Sequence, residues 1–138
     1  MDDVELKLPS LSGVRVLVVD DDPDNLSLVE TYLRSRGAII DAAESVLAAR
    51  RIIATRKPDF IISDVMMPKV DGMSFIRELR SRAAEDGGQI PAAALTGNVS
   101  PAVRVSVLNS GFQAYITKPF DPAELAFVVA NWTRGKAV

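Results

Sequence analysis

A chain of 138 residues with 48% hydrophobic and 25% charged side chains is long enough to bury one core, too short for a second domain, and outside the composition of a disordered segment. Lysine and arginine number 16 against 18 acidic residues, and with a net charge of −2 and no long basic block the chain lacks a nucleic-acid footprint. Zero cysteine and zero histidine exclude disulfides, thiolate catalysis, zinc–thiolate sites, an imidazole general base and a phosphohistidine within this chain. The apolar runs are too short to span a bilayer and no signal peptide opens the chain, so a cytoplasmic protein without a membrane partner is the expectation.

Residues 1–12 are polar and aperiodic and read as a flexible leader. Val14–Val19 is a continuous apolar run, as a fully buried strand should be, and it ends at Asp20, Asp21 and Asp22. Pro23 then sits in the first turn of a helix carrying Leu26, Val29 and Leu33, which stops near Gly37. Ala38–Ala42 is the second apolar stretch, followed by a helical pattern at Val46, Ala49 and Ile53. The basic pairs Arg50-Arg51 and Arg56-Lys57 fall on its solvated face and at its C-terminal end, where cations are favoured.

Phe60–Ile62 leads to Asp64, with Met66-Met67-Pro68 as a turn behind it. Asp71-Gly72 opens a helix with Phe75, Ile76 and Leu79, and Gly87-Gly88 marks a break before the strand Ala92–Leu95, which ends at Thr96. Val103, Val105 and Val107 alternate like a strand, yet Ser100-Pro101 and Asn109-Ser110-Gly111 frame a helix there, which is the assignment taken. Phe112–Ile116 precedes Lys118-Pro119, and Asp121-Pro122 opens a last helix. Its Leu125, Val128, Val129 and Trp132 form the stripe expected to face the core, with Phe127 off that stripe.

Strands alternating with helices of this length imply βαβ units and a single parallel sheet covered on both faces. Ligands of such sheets bind outside the carboxyl ends of the strands, where Asp20–Asp22, Asp64, Thr96 and Lys118 converge. Two carboxylates about 4 Å apart repel by roughly 4 kcal/mol at an effective dielectric near 20, so they share a proton or recruit a cation. Oxygen-only ligands select a hard ion, and Asp21 with Asp64 suits Mg²⁺, which takes one or two carboxylates beside waters and phosphate oxygens. The plainer alternative is helix capping, for which one short polar side chain among Asp20–Asp24 suffices.

The segments VLVVDDDPDN, PDFIISDVMMPKVDG, ALTG and YITKPFD, in this order and spacing, resemble the receiver domain of two-component response regulators. The resemblance covers residues 13–134, leaving 1–12 as leader and 135–138 as tail. It implies a flavodoxin-like, doubly wound (βα)5 domain with five parallel strands in the order 2-1-3-4-5. It implies Asp64 as phosphoacceptor, forming an acyl phosphate, with Lys118 and Thr96 completing the catalytic set. Mg²⁺, with Mn²⁺ as a substitute, is then held by Asp21, Asp64 and the Met66 backbone carbonyl, with Asp20 acting through a bound water.

By the same resemblance Thr96 and Tyr115 are the switch, the tyrosine ring turning from exposed to buried, and the output surface is the fourth helix, fifth strand and fifth helix. Lys118-Pro119 is commonly cis in that family, a trans proline being the alternative. Gly97 replaces a commoner alanine, and Met66 and Asn98 occupy positions that tune dephosphorylation. The phosphoryl donor is a histidine kinase or a histidine phosphotransfer protein, a homodimer through the output surface is a further partner, and the module is a regulator rather than an enzyme.

The chain is read as a stand-alone regulator or as the receiver of a hybrid sensor kinase, which the stretches around Leu11–Leu17 and Gly87–Pro91 resemble. A phosphate-independent interaction domain is the alternative. A calcium loop at Asp20, Asp22 and Asp24 fails at Asn25 and Thr31, where glycine and a bidentate glutamate belong. A phosphohydrolase lacks a second acidic residue two positions after Asp64 and has no room for a substrate cap.

Overall fold

The computed structural model describes residues 8–67, 71–97 and 100–134. Five strands, β1 (Arg15–Val19), β2 (Ile39–Ala43), β3 (Phe60–Asp64), β4 (Ala92–Thr96) and β5 (Ala114–Thr117), alternate with five helices, α1 (Pro23–Ser35), α2 (Val46–Thr55), α3 (Gly72–Arg80), α4 (Pro101–Ser110) and α5 (Pro122–Trp132). A single 3-10 turn lies at Ala84–Asp86. The strands form one parallel sheet in the order β2-β1-β3-β4-β5. The expected doubly wound architecture and strand order are therefore both observed.

Alternation within each strand divides the core in two. Val16, Val18, Phe60, Ile62 and Leu95 face one side, where Leu26, Val29 and Leu33 of α1 and Leu125 and Val129 of α5 cover them. Leu17, Val19, Ile61 and Ala94 face the other, under Ile53 of α2, Phe75, Ile76 and Leu79 of α3 and Val107 of α4. At about 25 cal/mol per Å² of apolar surface buried, this double coverage is the main term holding the sheet between its helices.

The helix starts are built as the punctuation suggested. Asp22, Ser45, Asp71, Ser100 and Asp121 each accept a hydrogen bond from a backbone N–H of the turn they precede, and Pro23, Pro101 and Pro122 occupy the first helical positions. At the edge of the sheet Asp41 accepts from both Arg15 and Arg56, at 3.2 and 2.8 Å. Arg80, at the end of α3, reaches across three elements. It donates to the carbonyls of Gly111 and Gly88 and to the Gln113 side chain at 3.0, 3.1 and 2.9 Å, tying the C-terminal end of α4 to the loop before β4 and the start of β5.

Two expectations need correction. The leader does not run to residue 12: Leu11 is fully buried in the α1–α5 side of the core, its N–H donates to the Arg36 carbonyl at 2.8 Å, and the Arg36 side chain returns to the carbonyls of Leu8 and Pro9. Trp132 does not face the core either, being 44% exposed. The inward positions of α5 are Leu125, Ala126 and Val129, and the buried residue at the helix end is Thr133, whose hydroxyl donates back to the Val129 carbonyl at 2.7 Å. Phe127 is exposed, as its place off the stripe required. Residues 1–7, Pro68, Asn98 and the tail 135–138 lie outside the described residues.

Candidate functional site

The parallel register sets the site. Val19 lies opposite Ser63, Asp64 opposite Leu95, and Thr96 opposite Thr117, so the residues that end β1, β3, β4 and β5 meet along one margin of the sheet. Asp20 and Asp64 are buried there, while Asp21, one residue on, is exposed. Carboxylate oxygens of Asp20, Asp21 and Asp64 lie within 4.8 Å of one another. Lys118 reaches over the edge of β5 and places Nζ 3.3 Å from Asp20 and 3.4 Å from Asp64. The peptide bond from Lys118 to Pro119 is cis, and the Lys118 N–H donates to the Thr96 carbonyl at 2.8 Å.

Each carboxylate is held differently. The Asp20 side chain accepts from the Asp22 N–H at 2.9 Å through one oxygen, and through the other from the Asn25 side-chain amide. Asp64 accepts from the Met66 N–H at 3.3 Å. Burial first, and the neighbouring Asp20 charge second, push the Asp64 carboxyl above the ordinary aspartate value, against the opposing pull of Lys118 and the Met66 N–H. Burial by itself lowers the Lys118 ammonium, but the Asp20 and Asp64 carboxylates outweigh it and hold the pKa above the usual lysine value. Three carboxylates against one ammonium leave an excess of negative charge, and an all-oxygen donor set of this kind fits a hard divalent cation.

The side chains of Asp22 and Asp24 lie outside the carboxylate cluster. Asp22 caps α1 by accepting from the Asp24 N–H at 3.0 Å, which removes the alternate-ligand pattern of a calcium loop. Thr96 is buried at the end of β4. Tyr115 is half-buried against the α2–α4 side of the core, and the Arg104 guanidinium lies 5.4 Å from its ring centroid, within cation–π range. The ring is thus covered on one side by α4 rather than exposed. Met66 is 72% exposed, so its side chain faces away from the core that flanks Asp64. Asn25 is a site residue that the sequence reading named only as a failed calcium-loop position and gave no role beside Asp20.

Two glycines beside the site behave in opposite ways. A Cβ at Gly72 meets the Asp64 backbone carbonyl at 2.2 Å, whereas a Cβ at Gly97 meets nothing within 4 Å and Gly97 does not hold a positive φ. Gly72→Ala is expected to destabilise by about 1–3 kcal/mol through displaced backbone. Gly97→Ala is expected to stabilise by about 0.4–1 kcal/mol, because alanine narrows the unfolded ensemble at no native cost. Urea unfolding of both variants checks the pair, and a Gly72→Ala protein as stable as wild type defeats the steric argument.

Comparison with known proteins agrees with this geometry. Residues 16–130 match the family model of the response regulator receiver domain. An uncharacterised 14.6 kDa protein of Leptolyngbya boryana is 38% identical over 125 residues, covering 91% of this chain and 94% of its own. The sensor protein GacS of Pseudomonas syringae pv. syringae is 39% identical over 120 residues, 86% of this chain but 13% of that protein. The receiver domain of the sensor histidine kinase PA1611 from Pseudomonas aeruginosa, solved with a magnesium ion coordinated in its active-site cleft, superposes with a TM-score of 0.79 at 34% identity, covering 88% of this chain and 98% of that one. No helix among the described residues is long and apolar enough to cross a membrane. With its sheet order, its strand-end aspartates and lysine, and a family match spanning most of its length, the chain belongs to the response regulator receiver domains of two-component signalling.

Proposed function

We propose that this domain accepts a phosphoryl group on Asp64 and converts it into a change of its α4–β5–α5 surface. The observation that carries the reading is the Asp64 carboxylate, buried at the end of β3 between a second carboxylate and the Lys118 ammonium. An Asp64 oxygen attacks phosphorus, a new P–O bond forms, the P–N bond of a phosphohistidine breaks, and the electron pair leaves with the imidazole nitrogen. This chain has no histidine, so that imidazole belongs to a histidine kinase or a histidine phosphotransfer protein.

Asp21, Asp64 and the Met66 carbonyl are the residues that would hold Mg²⁺, or Mn²⁺ in its place, with Asp20 acting through water. The bound cation supplies charge neutralisation for the phosphoryl oxygens and for the crowded carboxylates. Lys118, shared between Asp20 and Asp64, is placed to pair with a phosphoryl oxygen once Asp64 is esterified. The Thr96 hydroxyl turns toward the same group, and Tyr115 follows it inward, leaving Arg104. The receiver works in the cytoplasm, alone or within a hybrid kinase, and its switched surface meets a second copy or another protein.

The test is incubation with acetyl phosphate, with and without Mg²⁺, followed by intact-mass spectrometry. One phosphoryl group is expected per chain, only with the cation, and tandem fragmentation after borohydride reduction is expected to place it at Asp64. A protein that takes no phosphoryl group and fails to bind the beryllium fluoride mimic would be a phosphate-independent interaction domain.

A further inference from the structure

Among the described contacts, the Asp20 carboxylate meets three groups of the site. The side chain is 2% exposed, one oxygen accepts from the Asp22 N–H, and the other accepts from the Asn25 amide while lying 3.3 Å from Lys118 Nζ. Asn25 is the third residue of α1, a helix whose cap is already supplied by Asp22 and whose first position is Pro23, so its side chain is not needed to terminate the backbone. It is aimed instead at a buried charge. As a neutral donor it holds the Asp20 carboxylate in place without adding a charge, which an ammonium in the same place would do.

We infer that Asn25 is a positioning residue for the cation site: its amide fixes the Asp20 carboxylate so that Lys118 stays divided between Asp20 and Asp64. The inference rests on the Mg²⁺-dependent receiver reading and adds a residue to it. The two lysine distances, 3.3 and 3.4 Å, show that division in the resting site. Without the amide, Lys118 is the one remaining side-chain donor to Asp20 among the described contacts. The ammonium then moves toward Asp20 and away from Asp64, and the Asp20 carboxylate is free to rotate away from the water through which it acts. Outer-shell groups typically change metal affinity about 10–100-fold when removed, a range that applies to Asp20 and is the upper bound for Asn25, which acts through it. Aspartate is no substitute at this position, since it would face Asp20 oxygen to oxygen.

The experiment is calorimetric titration with Mg²⁺ of wild type, Asn25→Ala, Asn25→Leu, Asp20→Asn and the Asp20→Asn/Asn25→Ala double variant, beside metal-free thermal unfolding of each. Both Asn25 variants are expected to bind Mg²⁺ about three- to tenfold more weakly, the lower part of the outer-shell range. Adding Asn25→Ala to Asp20→Asn is expected to weaken binding no further, because the group through which Asn25 acts has lost its charge. At saturating Mg²⁺ the initial rate of phosphorylation by acetyl phosphate is expected to fall severalfold in the single variants.

Mg²⁺ affinity within about twofold of wild type in a folded Asn25 variant, or full additivity in the double variant, would overturn the inference. A lowered thermal midpoint with unchanged Mg²⁺ affinity overturns it as well, since that is the mark of a merely structural asparagine. If the alanine variant does not fold, the leucine variant, closer in volume, decides. Wild type that binds no Mg²⁺ overturns both the inference and the reading beneath it, whereas wild type that binds Mg²⁺ beside unaltered variants overturns the inference alone.

Discussion

Asp64→Asn is expected to abolish phosphoryl uptake and, in metal-free buffer at neutral pH, to raise the thermal midpoint. The first effect follows from chemistry, since an amide oxygen does not form the acyl phosphate. The second follows from electrostatics. Burial and the Asp20 charge hold the native Asp64 carboxyl above its ordinary value of 3.8, so its ionised form is worse off folded than unfolded. That cost is fully present above the native pKa and disappears as pH falls through it toward 3.8. The asparagine protein therefore gains most at neutral pH, and the gap closes in acid. Its oxygen still accepts from Lys118 and from the Met66 N–H, so little is lost in exchange. Thermal unfolding of both proteins across the acid and neutral range checks this, and an asparagine protein less stable than wild type at neutral pH would show that the Lys118 pairing dominates.

Lys118→Ala works in the other direction. It leaves Asp20 and Asp64 buried and facing each other with no ammonium between them. Removing one partner of a buried charge pair typically costs about 3–5 kcal/mol, and proton uptake by one carboxylate recovers part of it. A divalent cation is expected to restore more, because a ligand that binds only the folded state adds stability with concentration. Mg²⁺ should therefore raise the thermal midpoint of Lys118→Ala by more than it raises that of wild type. Phosphorylation should fall by about 10²–10³-fold even at saturating Mg²⁺, the range for loss of one charge-stabilising donor in a transition state. A variant as stable as wild type without metal would mean that the lysine contributes to chemistry alone.

Much of this was legible from spacing. Strands buried on both faces appear as unbroken apolar runs, so β1 and β3 and their terminal aspartates stood out, and turn residues marked the helix starts. α4 is the harder case: valines at alternate positions mimic a strand, but the structure exposes Val105 and buries Val107, a helical distribution that the flanking Ser100-Pro101 and Gly111 foretold. What escaped notice had no periodic signal. Leu11 is one of several scattered apolar residues in the opening stretch, with no period to single it out, and it is the side of the core covered by α1 and α5 that gives it a place to go.

Trp132 lies seven residues after Leu125, where helical spacing sends a side chain inward, yet the helix ends there and Thr133 closes it. Asn25 escaped for a related reason. Its contact with Asp20 depends on how the chain turns between β1 and α1, and no linear pattern encodes that angle.

The Arg80 clasp has a mechanical meaning. It fastens α4 at Gly111, and the two buried residues of that helix, Val107 and Ser110, lie toward the fastened end, while Pro101, Ala102, Arg104 and Val105 lie in solvent. Such a helix is a beam clamped at one end. The opposite end, capped by Ser100, has fewer buried side chains, and Arg104, resting on Tyr115, lies near it. With Gly111 held by Arg80, any displacement of α4 in the proposed switch is expected to be a rotation about that end rather than a slide along the helix axis.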